Sequence, residues 1–199
     1  MKLVVASNNP GKLREIGALL APLAIEVVPQ AQLNIGEADE PHASFLENAL
    51  AKARHASRAS GLAALADDSG LCVEALGGEP GVHSAYYAGR EGSREERDRR
   101  NNQKLLLHVK DERSAYYVCV MALVRHAADP RPLVAEGTWL GEIARAPRGS
   151  SGFGYDPLFL LPERGKTAAE LDPAEKNRIS HRGLALAKLL SSLQEWKSL

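Results

Sequence analysis

Ser7-Asn8-Asn9-Pro10-Gly11-Lys12 sets a lysine and several short polar side chains between an apolar run, Leu3 to Ala6, and a helical stripe of Leu13, Ile16, Leu19 and Leu20. A strand, a glycine-containing turn and a helix N-terminus commonly form an anion site. Free N–H groups and the helix dipole face the anion, and lysine adds charge. The same residues would serve equally as a plain polar loop. They are not a P-loop, which needs glycine where Ala6 stands and Ser or Thr where Leu13 stands.

Asp67-Asp68 follows the apolar run Leu62 to Ala66 and precedes Ser69-Gly70. Neighbours on an extended chain point to opposite faces, so one carboxylate of the pair would face a cleft. A carboxylate at a strand end suits Mg²⁺, which binds through one or two carboxylates and keeps waters and substrate phosphates. An aspartate pair making a turn is the plainer alternative. Further on, Ser151-Gly152-Phe153-Gly154-Tyr155-Asp156-Pro157 brackets two aromatics and a carboxylate with glycine and proline. Glycine lets backbone approach a ligand closely, and an aromatic face suits a planar partner such as a nucleobase. Gly152-Phe153-Gly154 is not the dinucleotide fingerprint, because Pro157 replaces its third glycine and no strand feeds a helix there. In Ser180-His181-Arg182-Gly183, His181 and Arg182 bring polar donors, although a histidine there also suits a core position or a helix cap.

Together these segments resemble the HAM1-like (inosine triphosphate pyrophosphatase) family, and its bacterial non-canonical purine nucleotide pyrophosphatases in particular, from Lys2 to about Leu190. The resemblance implies an α/β fold: an elongated mixed sheet flanked by helices, in two lobes with the active-site cleft between them, as one ITPase-like domain over residues 1–199. It implies hydrolysis of ITP, dITP and XTP to the monophosphate and pyrophosphate, by attack of water at the α-phosphorus. Asp68 is the implied metal-linked general base, and Glu40 a second ligand for Mg²⁺, although Pro41-His42 stands where the family commonly has Thr-Gly. Substrate contacts are implied for Ser7, Asn8, Asn9, Pro10, Gly11, Lys12, Lys52, Ser69, Phe153, Gly154, Tyr155, Asp156, Lys176, His181 and Arg182, with Phe153 covering the base. Lys52 and Lys176 sit on helices, where lysine is ordinarily solvated, but each lies inside a matched motif: Phe45-Leu46-Glu47-Asn48-Ala49 before Lys52, and Glu175-Lys176-Asn177 before Ser180. Tyr86 stands where the family usually has arginine. A homodimer in the cytoplasm is the implied working form. Two other readings are weighed against this one. A purine-nucleotide sensor without turnover would not need Asp68 in a metal geometry, and a Maf-like pyrophosphatase gives no reason for Ser180-His181-Arg182.

The elements that must position these groups alternate. Strands are expected at Leu3–Ala6, Ile25–Val28, Leu62–Ala66, Leu71–Leu76, Ala115–Arg125 and Leu133–Leu140. Helices are expected at Lys12–Leu20, at Phe45–Ser60 with Ser44 and Glu47 as a capping box and Gly61 as its stop, and from Arg94 to about Val109 with Ser93 and Glu96 as another box. Asp172-Pro173 starts a further helix, and a last one runs from about Leu184 to Trp196. Asn48 and Lys52 share a helix face away from the apolar stripe. The charged run Arg90 to Arg100 reads as a solvated helix face.

Composition sets the outer bounds. The 199 residues suffice for a proper core. Lys plus Arg equals Asp plus Glu, 25 each, so no global basic field exists to hold a nucleic-acid backbone, and a free nucleotide fits better. Cys72 and Cys119 are too far apart in sequence for a zinc knuckle or a redox pair, and Cys119 reads as a small buried hydrophobe. No run approaches the ~18 apolar residues of a membrane span, and the opening residues are too short a run for a signal peptide.

Overall fold

The computed structural model describes residues 2–23 and 25–197. Seven strands form one mixed sheet in the order β2-β1-β3-β4-β5-β6-β7. They are β1 (Lys2–Val5), β2 (Glu26–Pro29), β3 (Ala63–Val73), β4 (Ser114–Val124), β5 (Leu133–Ile143), β6 (Phe159–Leu161) and β7 (Lys166–Thr167). β1 runs parallel to β2 and to β3, with Leu3 opposite Ala63 and Val5 opposite Leu65, while β5, β6 and β7 pair antiparallel. The helices are α1 (Pro10–Leu20), α2 (Phe45–Ser60), α3 (Arg94–His108), α4 (Pro173–Ile179) and α5 (His181–Lys197).

The chain divides into two compact units. The first comprises Met1–Asp68, Cys119–Gly137 and His181–Leu199. Its core joins Leu3, Val5, Ile16, Leu20, Leu65, Met121, Leu123, Leu186 and Leu189. α2 shows how local chemistry defines its ends. The Ser44 hydroxyl accepts from the Glu47 N–H at the start, and Gly61 takes a left-handed φ of 70° at the stop. Alanines 49, 53 and 56 bury one face completely. The second unit comprises Ser69–Val118 and Thr138–Ser180. Its core is richer in aromatics: Phe159 lies 4.6 Å from Tyr117 and 5.1 Å from Trp139 between ring centroids.

Three differences from the sequence expectations bear on the site. Leu62–Ala66 and Leu71–Leu76 are not two strands with a break at Asp67-Asp68. β3 runs unbroken from Ala63 to Val73, so the carboxylates stand mid-strand, both buried. The composition of Asp-Asp-Ser-Gly signals a turn, but cations from distant segments stabilise the charges inside the sheet. α5 begins at His181 rather than near Leu184, so His181 and Arg182 belong to its first turn. α3 is also not simply a solvated face, since Arg94, Arg97, Asp98 and Asn102 are half-buried and Asn101 is buried.

Candidate active site

In the first unit, β1 delivers the chain into the Ser7–Lys12 turn, and the Asn9 side chain caps α1 by accepting from the N–H groups of Gly11 (2.9 Å) and Lys12 (3.2 Å). Pro10 has no N–H, and the Leu13 N–H bonds to the Asn9 carbonyl. The expected open N–H groups are therefore committed to the cap. What remains for an anion is the lysine and the short polar side chains. Ser7 Oγ accepts from Asn9 N–H at 3.2 Å, and Asn8 Oδ1 from Gln30 at 3.2 Å.

Strand alternation separates Asp67 from Asp68. Asp67 Oδ2 takes Lys12 Nζ at 3.0 Å and Arg182 at 3.3 Å (Nε) and 3.1 Å (Nη2). The other guanidinium edge pairs with Glu15. Burial alone would raise the Asp67 pKa, but Lys12, Arg182 and Lys52 outweigh it and hold this carboxyl far below the usual range. Arg182, 1% exposed, is likewise pushed down by burial and more strongly up by Asp67 and Glu15, so it stays charged. The thiol of Cys119, 3.9 Å from Asp67 Oδ2, is pushed up to about 12 by burial and then by that carboxylate, and so remains a neutral buried group.

Asp68 faces another set. Its Oδ1 accepts from Lys52 Nζ at 2.9 Å and its Oδ2 from Asn48 Nδ2 at 3.3 Å. Asn48 and Lys52 are one turn apart on α2, as expected, but both are buried and both turn toward the carboxylate. Asn48 also bonds the His42 N–H (3.1 Å) and carbonyl (3.2 Å), which pins the loop carrying Glu40. Lys52 Nζ lies 3.1 Å from Glu40 as well. Desolvation raises the Asp68 pKa and Glu40 adds to it, with Lys52 and Lys12 opposing, so Asp68 sits above its ordinary value while its neighbour sits far below. Lys52 is lowered by burial but raised further by Asp68, Glu40 and Asp67, and is firmly protonated. Adjacent groups pushed in opposite directions are a signature of divided acid–base roles. Two carboxylates converging on one ammonium also fit the small, open donor set by which Mg²⁺ is held. Among the described residues, no group of three or more His, Cys, Asp and Glu side chains is gathered for a metal.

The second unit holds the other cluster. Gly152 has φ +81°, and a Cβ there would meet Asp156 Oδ2 at 2.1 Å, so only glycine fits. Asp156 Oδ2 accepts from Phe153 N–H (2.9 Å) and Lys176 Nζ (2.6 Å). Lys176, set on α4 by the Asp172 cap and Pro173, is buried, and its Nζ lies 5.1 Å from the Phe153 ring centroid. The Tyr155 side chain packs in the core and donates its hydroxyl to the Ser84 carbonyl at 2.9 Å. Ser69 is half-buried on β3. His181 is buried at the start of α5.

Sequence reasoning missed the partners. Glu15, Asn48, Asp67, Arg94, Asp98 and Asn102 organise the named residues without having been named as site groups. Helical spacing was the available signal: Lys12 and Glu15 lie three apart, and Arg94, Asp98 and Asn102 four apart.

A model of the Ham1 family matches residues 3–192. A dITP/XTP pyrophosphatase from Burkholderia pseudomallei is 63% identical over 98% of this chain and 94% of its own. One from Nitrosomonas europaea is 63% identical over 98% and 95%. The solved structure of a HAM1 protein from Coxiella burnetii has a TM-score of 0.88 at 48% identity, covering 98% of this chain and 99% of that one. A Ham1 protein from Staphylococcus aureus gives 0.84 at 38%, with the same coverage.

Proposed function

Because the chain belongs to the Ham1 family, we propose that it hydrolyses non-canonical purine nucleoside triphosphates, dITP, ITP and XTP, to the monophosphate and pyrophosphate, and so clears deaminated purines from the nucleotide pool. Relatives that are 63% identical over nearly the whole chain are dITP/XTP pyrophosphatases. The observation that carries the chemistry is the split aspartate pair. Asp67 is locked in ion pairs with Lys12 and Arg182, while Asp68, raised by burial, keeps the basicity to orient and deprotonate a water. Glu40 and Asp68 are the carboxylates that would hold Mg²⁺, which when bound would offset phosphate charge. Lys12 and Lys52 supply fixed positive charge as the phosphates become more negative. Lys176 and Asp156 steady Phe153, whose face suits a purine.

His181 and Arg182 are proposed to favour an acceptor oxygen at C6, because arginine only donates. Arg182 does so while also anchoring Asp67 and Glu15. A cytoplasmic homodimer remains part of the proposal. Both cysteines are buried free thiols, which suits a reducing compartment, and no described helix is long and apolar enough to cross a membrane.

Incubation with Mg²⁺ and a panel of triphosphates, with products separated by chromatography, tests the proposal. ITP should give IMP and pyrophosphate. IDP with orthophosphate would overturn attack at the α position, and tight ITP binding without turnover would favour a sensor.

A further inference from the structure

α3 presents a polar stripe to its own unit. Arg94, Asp98 and Asn102 recur every fourth residue on this inward side, with Arg97 and Asn101 beside them, and only Leu105 closes the stripe with a buried aliphatic side chain. Burying such groups is costly unless each finds a partner. Their partners are main-chain groups of loops. Asp98 Oδ2 accepts from the Gly154 N–H at 2.9 Å, and Asn102 Nδ2 donates to the Gly154 carbonyl at 2.9 Å. One helix therefore takes both polar main-chain groups of a single residue. Gly154 is held at φ +63°, and the preceding N–H, that of Phe153, is bound by Asp156.

Two successive peptide N–H groups are thus tied to carboxylates on either side of the Phe153 side chain. The ring is also capped from the same helix. The Arg94 guanidinium carbon lies 5.1 Å from its centroid, and Arg94 Nε is 3.9 Å from Asp98. Next on the stripe, Asn101 accepts from the Ala88 N–H at 2.8 Å and donates to the carbonyls of Ser84 and Ala85 at 3.2 Å each. Burial lowers the Arg94 pKa, with Asp98 opposing.

We propose that Arg94, Asp98 and Asn102 are positioning residues for base selectivity: through Gly154 they fix the plane in which Phe153 meets a purine. This rests on the reading of Phe153 as the base cover. A site discriminates between bases only as sharply as its groups are held, and a loop free to shift by about an ångström would accept more shapes. Asp98 acts as a hydrogen-bond acceptor toward Gly154. Asparagine at 98 retains an acceptor oxygen, whereas alanine does not.

The test uses the full chain with Mg²⁺ and compares Asp98→Ala, Asp98→Asn and Arg94→Ala. Asp98→Ala should raise KM for ITP by roughly tenfold, leave kcat within about threefold, and narrow the ITP-to-ATP ratio in kcat/KM. Asp98→Asn should restore most of both. Arg94→Ala removes no main-chain bond and should raise KM by about threefold. Hydrogen exchange over residues 150–157, read without any nucleotide, should speed up in Asp98→Ala and recover in Asp98→Asn. Should Asp98→Ala fail to fold, Arg94→Ala and Asp98→Asn still carry the comparison. Unchanged exchange or an unchanged ratio in Asp98→Ala, or an unchanged KM in either alanine variant, overturns the proposal, as does a fall in kcat alone with the melting temperature. A wild-type protein inactive on every triphosphate, with exchange behaving as described, instead overturns the reading of the function and leaves the grip on the loop standing.

Discussion

Asp67 and Asp68 share a peptide bond, and β3 sends one carboxylate to Lys12 and Arg182 and the other to Lys52 and Asn48. Their substitutions should therefore fail in different ways. Asp68→Asn keeps the size and loses the basicity, so kcat should fall by roughly 10²-fold with KM less affected; near-normal turnover would remove Asp68 from the chemistry. Asp67→Asn should be milder on kcat but leaves Arg182 buried against a neutral amide. Breaking a buried pair in this way costs about 3 kcal/mol. The pH dependence has a definite sign. A carboxyl held below its unfolded value, ordinarily ~3.9, contributes stability that is fully present above that pH and lost as pH falls through the depressed value. Urea unfolding should show wild type well above Asp67→Asn at neutral pH, with the gap shrinking below about pH 4. Equal stabilities at neutral pH would mean that the ion pairs contribute nothing net.

At the level of elements, α5 is positioned by close approach rather than by bulk. A Cβ on Gly137 of β5 would lie 2.1 Å from the His181 carbonyl oxygen and 2.5 Å from the Ala185 nitrogen, both main-chain atoms of α5. Gly137→Ala must therefore push the helix away and carry His181 and Arg182 with it. A loss of about 3 kcal/mol is expected, together with reduced activity; an unchanged melting curve would show that α5 can retreat freely. α2 was legible in the sequence because Ser44 and Gly61 act on their own neighbours. The continuity of β3 was not, because its interior carries turn-forming residues. The guanidinium that stabilises Asp67 comes from 115 residues away, and Glu15 meets that guanidinium across 167. Local pattern cannot register contacts of that range. β6 and β7, of three and two residues, fall below the length at which alternation is recognisable. The inward face of α3 was missed for a different reason: its buried stripe is polar, and a search for apolar periodicity reads it as solvent-facing.

Over the whole molecule, acidic and basic residues balance at 25 each, and the same balance recurs in the ionic cluster of each unit. Lys12 faces Asp67, Lys52 faces Asp68 and Glu40, Lys176 faces Asp156, and Arg182 faces Asp67 and Glu15. Cations matched by carboxylates in this way cast little field into solvent, so attraction for a phosphate is confined to short range. Long-range steering, which speeds association with charged ligands and weakens steeply with salt, should be nearly absent. The kcat/KM for ITP should accordingly change by less than about threefold between ~20 and ~200 mM monovalent salt at saturating Mg²⁺, once screening beyond the Debye length is the only lever. A protein that neutralised several phosphates of a polymer would instead lose orders of magnitude in affinity over that range. Steady-state kinetics across the salt series, repeated with an excess of double-stranded DNA, separates the cases. A flat profile without competition by DNA fits a free nucleotide held by short-range contacts. A drop beyond about tenfold, or inhibition by DNA, would reveal a basic field that residue counts conceal.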